Sequence, residues 1–110
     1  MCVHILSKQD ISCQIYYMNS KVQLFKILAD PTRYKIIKLI LKKGDELCVS
    51  DIAKEVGVSQ SAVSHQLAKL EDEEIVSGVR NGQEVCYLMT DTRNARRVKR
   101  VLKAVKNQND

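Results

Sequence analysis

There is no tryptophan in this chain, and its only large aromatic side chains are four tyrosines and one phenylalanine. Apolar residues still make up 45% of its 110 residues, enough for one compact domain whose core has to be aliphatic. No run of 18 apolar residues occurs, so no membrane-spanning helix and no membrane partner are expected. The N-terminus lacks the charged start and long apolar stretch of a secretion signal, which makes the cytoplasm the expected location. In that reducing compartment the four cysteines, Cys2, Cys13, Cys48 and Cys86, are expected to be free thiols, too few and too scattered for a disulfide scaffold. A glycine-rich phosphate loop and a paired-thiol zinc motif are also missing. Neither histidine stands in a nucleophile-and-base arrangement, so neither catalysis nor a small-molecule substrate is expected.

What the chain has instead is positive charge. Eighteen Lys and Arg against thirteen Asp and Glu give a net +5, which favours a polyanionic partner, nucleic acid before membrane. A merely soluble basic protein would look the same by charge alone.

The patterning reads as mainly α with a small β-hairpin. Residues 1–19 are weakly patterned and read as an N-terminal arm that can form part of the first helix; residues 20–107 read as one domain. A helix from Ser20 should bury Val22, Phe25, Ile27, Leu28 and Ala29. Asp30-Pro31 is a helix start: a capping side chain, then a proline where no N–H is needed. The following PTRYKIIKLILKKG is apolar around most of its circumference and reads as the central core helix, closed by Gly44. ELC is short and suits an edge strand. VSDIAKEVG makes a brief helix capped by Ser50 or Asp51, and SQSAVSHQLAKLEDEE a longer one capped by Ser59. IVSGVRNGQEVCYLMT is a hairpin with Asn81-Gly82 as a type I′ turn; Val85, Tyr87 and Met89 should face the core and Cys86 the other side. The last segment, DTRNARRVKRVLKAVK, is an amphipathic helix.

Function is carried by the two middle helices. A DNA-reading helix-turn-helix needs a small residue in the first helix, a glycine in the turn and a branched apolar residue in the second; Ala53, Gly57 and Val63 supply them, with Ile52, Val56 and Val58 filling the crossing. An ordinary pair of antiparallel helices could show the same spacing. The outer face of the second helix weighs against that. Val63, Leu67 and Leu70 share one side, while Gln60, Ser61, Ser64, His65 and Ala68 make an outer face of small or hydrogen-bonding residues where a solvated helix would carry Lys, Glu and Arg. The residues expected to meet double-stranded DNA are Ser59, Gln60, Ser61, Ser64, His65 and Lys69, with Arg80 and Asn81 from the hairpin. The last helix carries an apolar stripe of Ala95, Val98, Val101, Leu102 and Val105, expected at a dimer interface or against the chain's own first helix.

With LADPTRYKIIKLI, ELCVSDIAKEVGVSQSAVSHQLAKLEDEEIV and NGQEVCYL in view, residues 24–90 resemble the ArsR/SmtB family of winged helix-turn-helix repressors. The resemblance implies a homodimer with first and last helices at its interface, a recognition helix from Gln60 to about Leu70, and release from DNA by an inducer such as a metal ion or an oxidant. Metal-sensing members commonly read ELCVCD where this chain reads ELCVSD, so Cys48 matches the first thiol and Ser50 replaces the second. Cys2 and Cys13 are thiols on an arm that could complete a site with Cys48 for As(III), Cd(II), Pb(II) or Zn(II). Cys48 as a metal ligand, as a redox thiol and as a small packing residue all stay open here. A Cys48–Cys86 bridge is imaginable, with no distance to test it. The rival to a sensing repressor is a constitutive DNA-binding or protein-interaction module of the same fold.

Overall fold

In the computed structural model, residues 21–109 are described, with side chains to 105. Residues 21–29 are helical (α1), followed by α2 (Pro31–Lys43), β1 (Leu47–Cys48), α3 (Val49–Val56), α4 (Gln60–Asp72), β2 (Val76–Asn81), β3 (Glu84–Met89) and α5 (Arg93–Asn109). The proposed arm lies outside the described residues, as do Cys2 and Cys13.

Helix α2 starts as its sequence predicts. The Asp30 carboxylate accepts from the Arg33 N–H at 2.9 Å, and Pro31 occupies the first turn. Ile36, Ile37 and Ile40 are fully buried and form the centre of an aliphatic core with Ile52, Val63, Leu67, Leu70, Ile75, Val76 and Val98. Helix α1 adds Leu24 and Ile27 to it. The expected inner face of α1 was rotated: Val22 is 45% and Phe25 62% exposed, and Ala29 is exposed too. At 100° per residue Leu24, Ile27 and Leu28 share one side, while Val22, Phe25 and Ala29 share the other. Both faces are apolar in sequence, and only packing selects between them.

Helix α5 divides its stripe in a similar way. Ala95, Val98 and Leu102 are buried against their own chain, which takes them out of the expected dimer surface; Val101 is half-buried and Val105 half-exposed. The Thr92 hydroxyl caps this helix by accepting from the Ala95 N–H at 3.1 Å.

The hairpin gains a third strand. The sheet order is β1-β3-β2, all antiparallel, with Leu47 opposite Tyr87 and Cys48 opposite Cys86. Asn81 pairs with Glu84, so the turn residues are Gly82 and Gln83, and Gly82 alone has positive φ (65°). That is the type II′ pattern, not the expected I′: the register moves the turn one residue on, and Asn81 joins the strand. Helix α4 ends in a left-handed residue that is not glycine. Glu74 has φ 62°, with its N–H donating to the Glu71 carbonyl and the Ile75 N–H to that of Leu70.

Candidate nucleic-acid interface

Helix α3 is two turns long and buries Ile52 and Ala53. Its cap is Cys48, which makes no side-chain cap bond; Ser50 and Asp51, the expected caps, lie inside the helix. The Ser50 hydroxyl donates instead to the Glu84 carboxylate on β3 at 2.8 Å. Gly57 ends α3 with φ 83°, where an L side chain would be strained, and the N–H groups of Gly57 and Val58 both donate to the Ala53 carbonyl. Ala53 is 6% exposed and Val63 fully buried, so the small-residue and branched-residue positions lie in the core as expected.

Helix α4 is held by one side. Ser59 caps it, its hydroxyl accepting from the Ala62 N–H at 3.1 Å, and Val63, Leu67 and Leu70 are fully buried. Gln60, Ser61, Ser64, His65 and Ala68 are exposed together on the outer face. The hydrogen-bonding tips of Gln60, Ser61, Ser64 and His65 suit base edges. Lys69 is exposed but lines a different place, a cleft of about 320 Å³ that it shares with Gln23, Lys26 and Arg33.

The β2–β3 wing exposes Arg80. Asn81 is turned back onto the protein: its amide donates to the Glu46 carboxylate at 2.8 Å and to the Cys86 sulfur at 3.5 Å. The root of the wing packs through Tyr87, whose ring lies over Gly78, 3.1 Å from where a Cβ would stand. Burial raises the Tyr87 phenol above its usual range, and the Glu71 carboxylate raises it further. That carboxylate also accepts from the Gly78 N–H at 3.2 Å.

The thiols differ most from expectation. Cys48 and Cys86 are joined as a disulfide, Cα atoms 3.7 Å apart, so two of the four expected free thiols are not free. The β1–β3 register places them directly opposite each other, a register that no local spacing specifies. Cys86 is on the face away from Tyr87 and Met89, as expected, yet fully buried there. Among the described residues no group of three or more His, Cys, Asp or Glu side chains could hold a metal ion. Within the same range no helix is long and apolar enough to cross a membrane.

Residues 30–77 match the model of a bacterial regulatory protein family, arsR. The chain is 34% identical over 92 residues to a transcriptional repressor SmtB homolog of Synechocystis, covering 81% of this chain and 68% of that one. It is 38% identical over 69 residues to the transcriptional repressor SdpR of Bacillus subtilis, covering 63% of this chain and 74% of that one. Among solved structures it is similar to the AntR antimony-specific transcriptional repressor, with a TM-score of 0.68 and 28% identity over 96% of this chain and 87% of that one.

Proposed function

The chain belongs to the arsR family of bacterial regulatory proteins, DNA-binding transcriptional regulators, and from that premise we propose that it acts in the cytoplasm as a homodimeric repressor that reads duplex DNA with α4. The observation that carries this reading is the outer face of α4. Gln60, Ser61, Ser64 and His65 are exposed side by side on a helix whose other face is locked into the core. In the proposed complex Gln60 pairs with a base edge, Ser61, Ser64 and His65 read neighbouring positions, and Ser59 orders the first turn. Arg80 on the wing meets the backbone or the adjacent minor groove. Asn81 positions the wing through Glu46 rather than touching DNA.

Dimerisation is supported by apolar surface on the first and last helices: Val22 and Phe25 on α1, and Val105 on α5. A two-fold dimer with one reading helix per chain predicts half-sites whose centres lie about one helical turn apart, or a multiple of it. Selection from a random duplex library tests this. Enrichment of a two-fold-related sequence is expected, and no enrichment over the starting library would remove the reading.

The effector we favour is an oxidant acting on the Cys48–Cys86 pair, because the two are joined as a disulfide. A soft metal ion is the second reading, favoured by the name of the similar antimony-specific repressor and by the match of Cys48 to a family thiol position. It requires the bridge to open first and ligands from Cys2 or Cys13.

A further inference from the structure

We propose that Cys48 and Cys86 are a reversible dithiol–disulfide pair, closed by a peroxide-class oxidant, that fixes the wing to the reading helices and so strengthens DNA binding. The inference rests on the DNA-binding reading above and names its regulation.

The pair occupies the seam where β3 of the wing meets the segment entering α3; β2 meets α4 on the other side, where the Glu71 carboxylate accepts from the Gly78 N–H. Three alternate residues, running from the segment before α3 into its first turn, each hold a hairpin residue. Glu46 holds Asn81, Cys48 holds Cys86, and Ser50 holds Glu84. The two polar tethers join exposed side chains, where a hydrogen bond contributes little. Beside the two-residue β1–β3 ladder, the sulfur bridge is the covalent tie across the seam. Cys48 is followed immediately by α3, and α3 packs on α4 through Ala53 and Val63, so closing the bridge fixes Arg80 relative to Gln60 and Ser64. With the bridge open, that wing freedom has to be lost when DNA binds, which weakens binding.

The two sulfurs are not equivalent. Cys86 is fully buried, whereas Cys48 is partly exposed. Cys48 also stands at the start of α3, whose first N–H groups lack a side-chain oxygen cap. Unpaired N–H groups and the positive end of a helix favour a thiolate. Reduced Cys48 therefore reacts first. Its thiolate attacks one peroxide oxygen, the O–O bond breaks, and the other oxygen leaves as water after taking up a proton. Cys48 is now a sulfenic acid. The Cys86 thiol then attacks the Cys48 sulfur, the S–S bond forms, the S–O bond breaks, and the hydroxyl leaves as a second water. Two thiols have lost two electrons and two protons, and one peroxide has become two waters. A small dithiol reverses the step, reducing the bridge while becoming a disulfide itself.

The test uses the full-length chain, first reduced with dithiothreitol, then divided and half of it treated with hydrogen peroxide. After blocking of free thiols and digestion without reductant, the treated sample should yield the Cys48 and Cys86 peptides as one linked species that dithiothreitol separates. Binding to the duplex recovered by selection should be on the order of ten-fold tighter for the oxidised form, within the span usual for coupling between sites. In Cys86→Ser, peroxide should leave a dimedone-reactive sulfenic acid at Cys48, whereas Cys48→Ser should show none at Cys86. Absence of the linked peptides, or equal or weaker binding by the oxidised form, overturns the proposal. The wild-type comparison needs no variant to fold. If neither form binds any duplex, the repressor reading itself falls, while the peptide map still reports whether the pair closes.

Discussion

At the scale of single residues, Gln60 and Arg80 are expected to separate base reading from backbone attraction. Gln60 is exposed at the first turn of α4, where a side-chain amide can make two bonds to one base. Gln60→Ala should cost about 1–3 kcal/mol on a selected duplex and little on random DNA. Arg80→Ala should weaken both and lower the slope of affinity against salt concentration by about one, because a phosphate contact releases a counterion whatever the sequence. Titration of both variants against both duplexes at several salt concentrations decides it; equal losses for Gln60→Ala on the two would end its role as a reader. Tyr87 makes a different residue-scale prediction. Its phenol is raised by burial and then by Glu71, so the unfolded chain releases this proton at a lower pH than the folded one. Stability from Tyr87 is therefore complete below about pH 10 and is lost as pH rises through the higher folded value. Urea melts across that window should show a decline that Tyr87→Phe lessens.

Among the elements, the end of α4 and the β1–β3 seam carry the clearest expectations. Glu74 holds a left-handed conformation that an L side chain adopts at a cost, while the bonds it supports are all made by backbone. Its carbonyl accepts from the hydroxyls of Thr90 and Thr92, each at 2.6 Å, which any residue could do. Glu74→Gly should keep every one of these bonds and stabilise the fold by about 0.5–1 kcal/mol, seen as a higher melting temperature. A lower one would mean that the Glu74 side chain contributes more than its backbone strain costs. At the seam, the bridge closes a loop with a separation of 38 residues. Restricting the unfolded chain to that extent is worth about 2–4 kcal/mol, so denaturant midpoints should fall when dithiothreitol is present. Cys48→Ser/Cys86→Ser should melt alike with and without the reductant.

For the whole molecule, the apolar residues left outside the core decide assembly. Phe25 is 62% and Val22 45% exposed on α1, apolar surface that fits the proposed dimer. Phe25→Glu should halve the mass seen by sedimentation at micromolar concentration while leaving helical content unchanged, since among the described residues the side chain is not part of the core. Loss of the dimer should also lower affinity for a two-fold duplex by far more than for a single half-site, because two linked reading heads bind together. A chain that sediments as a monomer before substitution would refute the assignment of this face.

Sequence alone was enough for whatever depends on neighbours along the chain. The Asp30-Pro31 start, the Ser59 cap, the Gly57 turn and the Val63, Leu67 and Leu70 face of α4 all follow from local chemistry at helical spacing, and the structure agrees with each. The outer face of α4 was legible for the same reason: its small uncharged residues lie within two turns. Tertiary structure decided the rest. Which apolar face of α1 is buried depended on where α2 and α4 lie, because both faces of α1 are apolar in sequence. The turn moved from Asn81-Gly82 to Gly82-Gln83 because cross-strand pairing fixes register over the whole hairpin, and a local turn preference is weaker than six residue pairs. Ala95, Val98 and Leu102 went to the chain's own core rather than to a partner because that core was within reach. The Cys48–Cys86 bridge was the least legible, since its existence depends on one strand register between segments 38 residues apart, which no spacing in the sequence specifies.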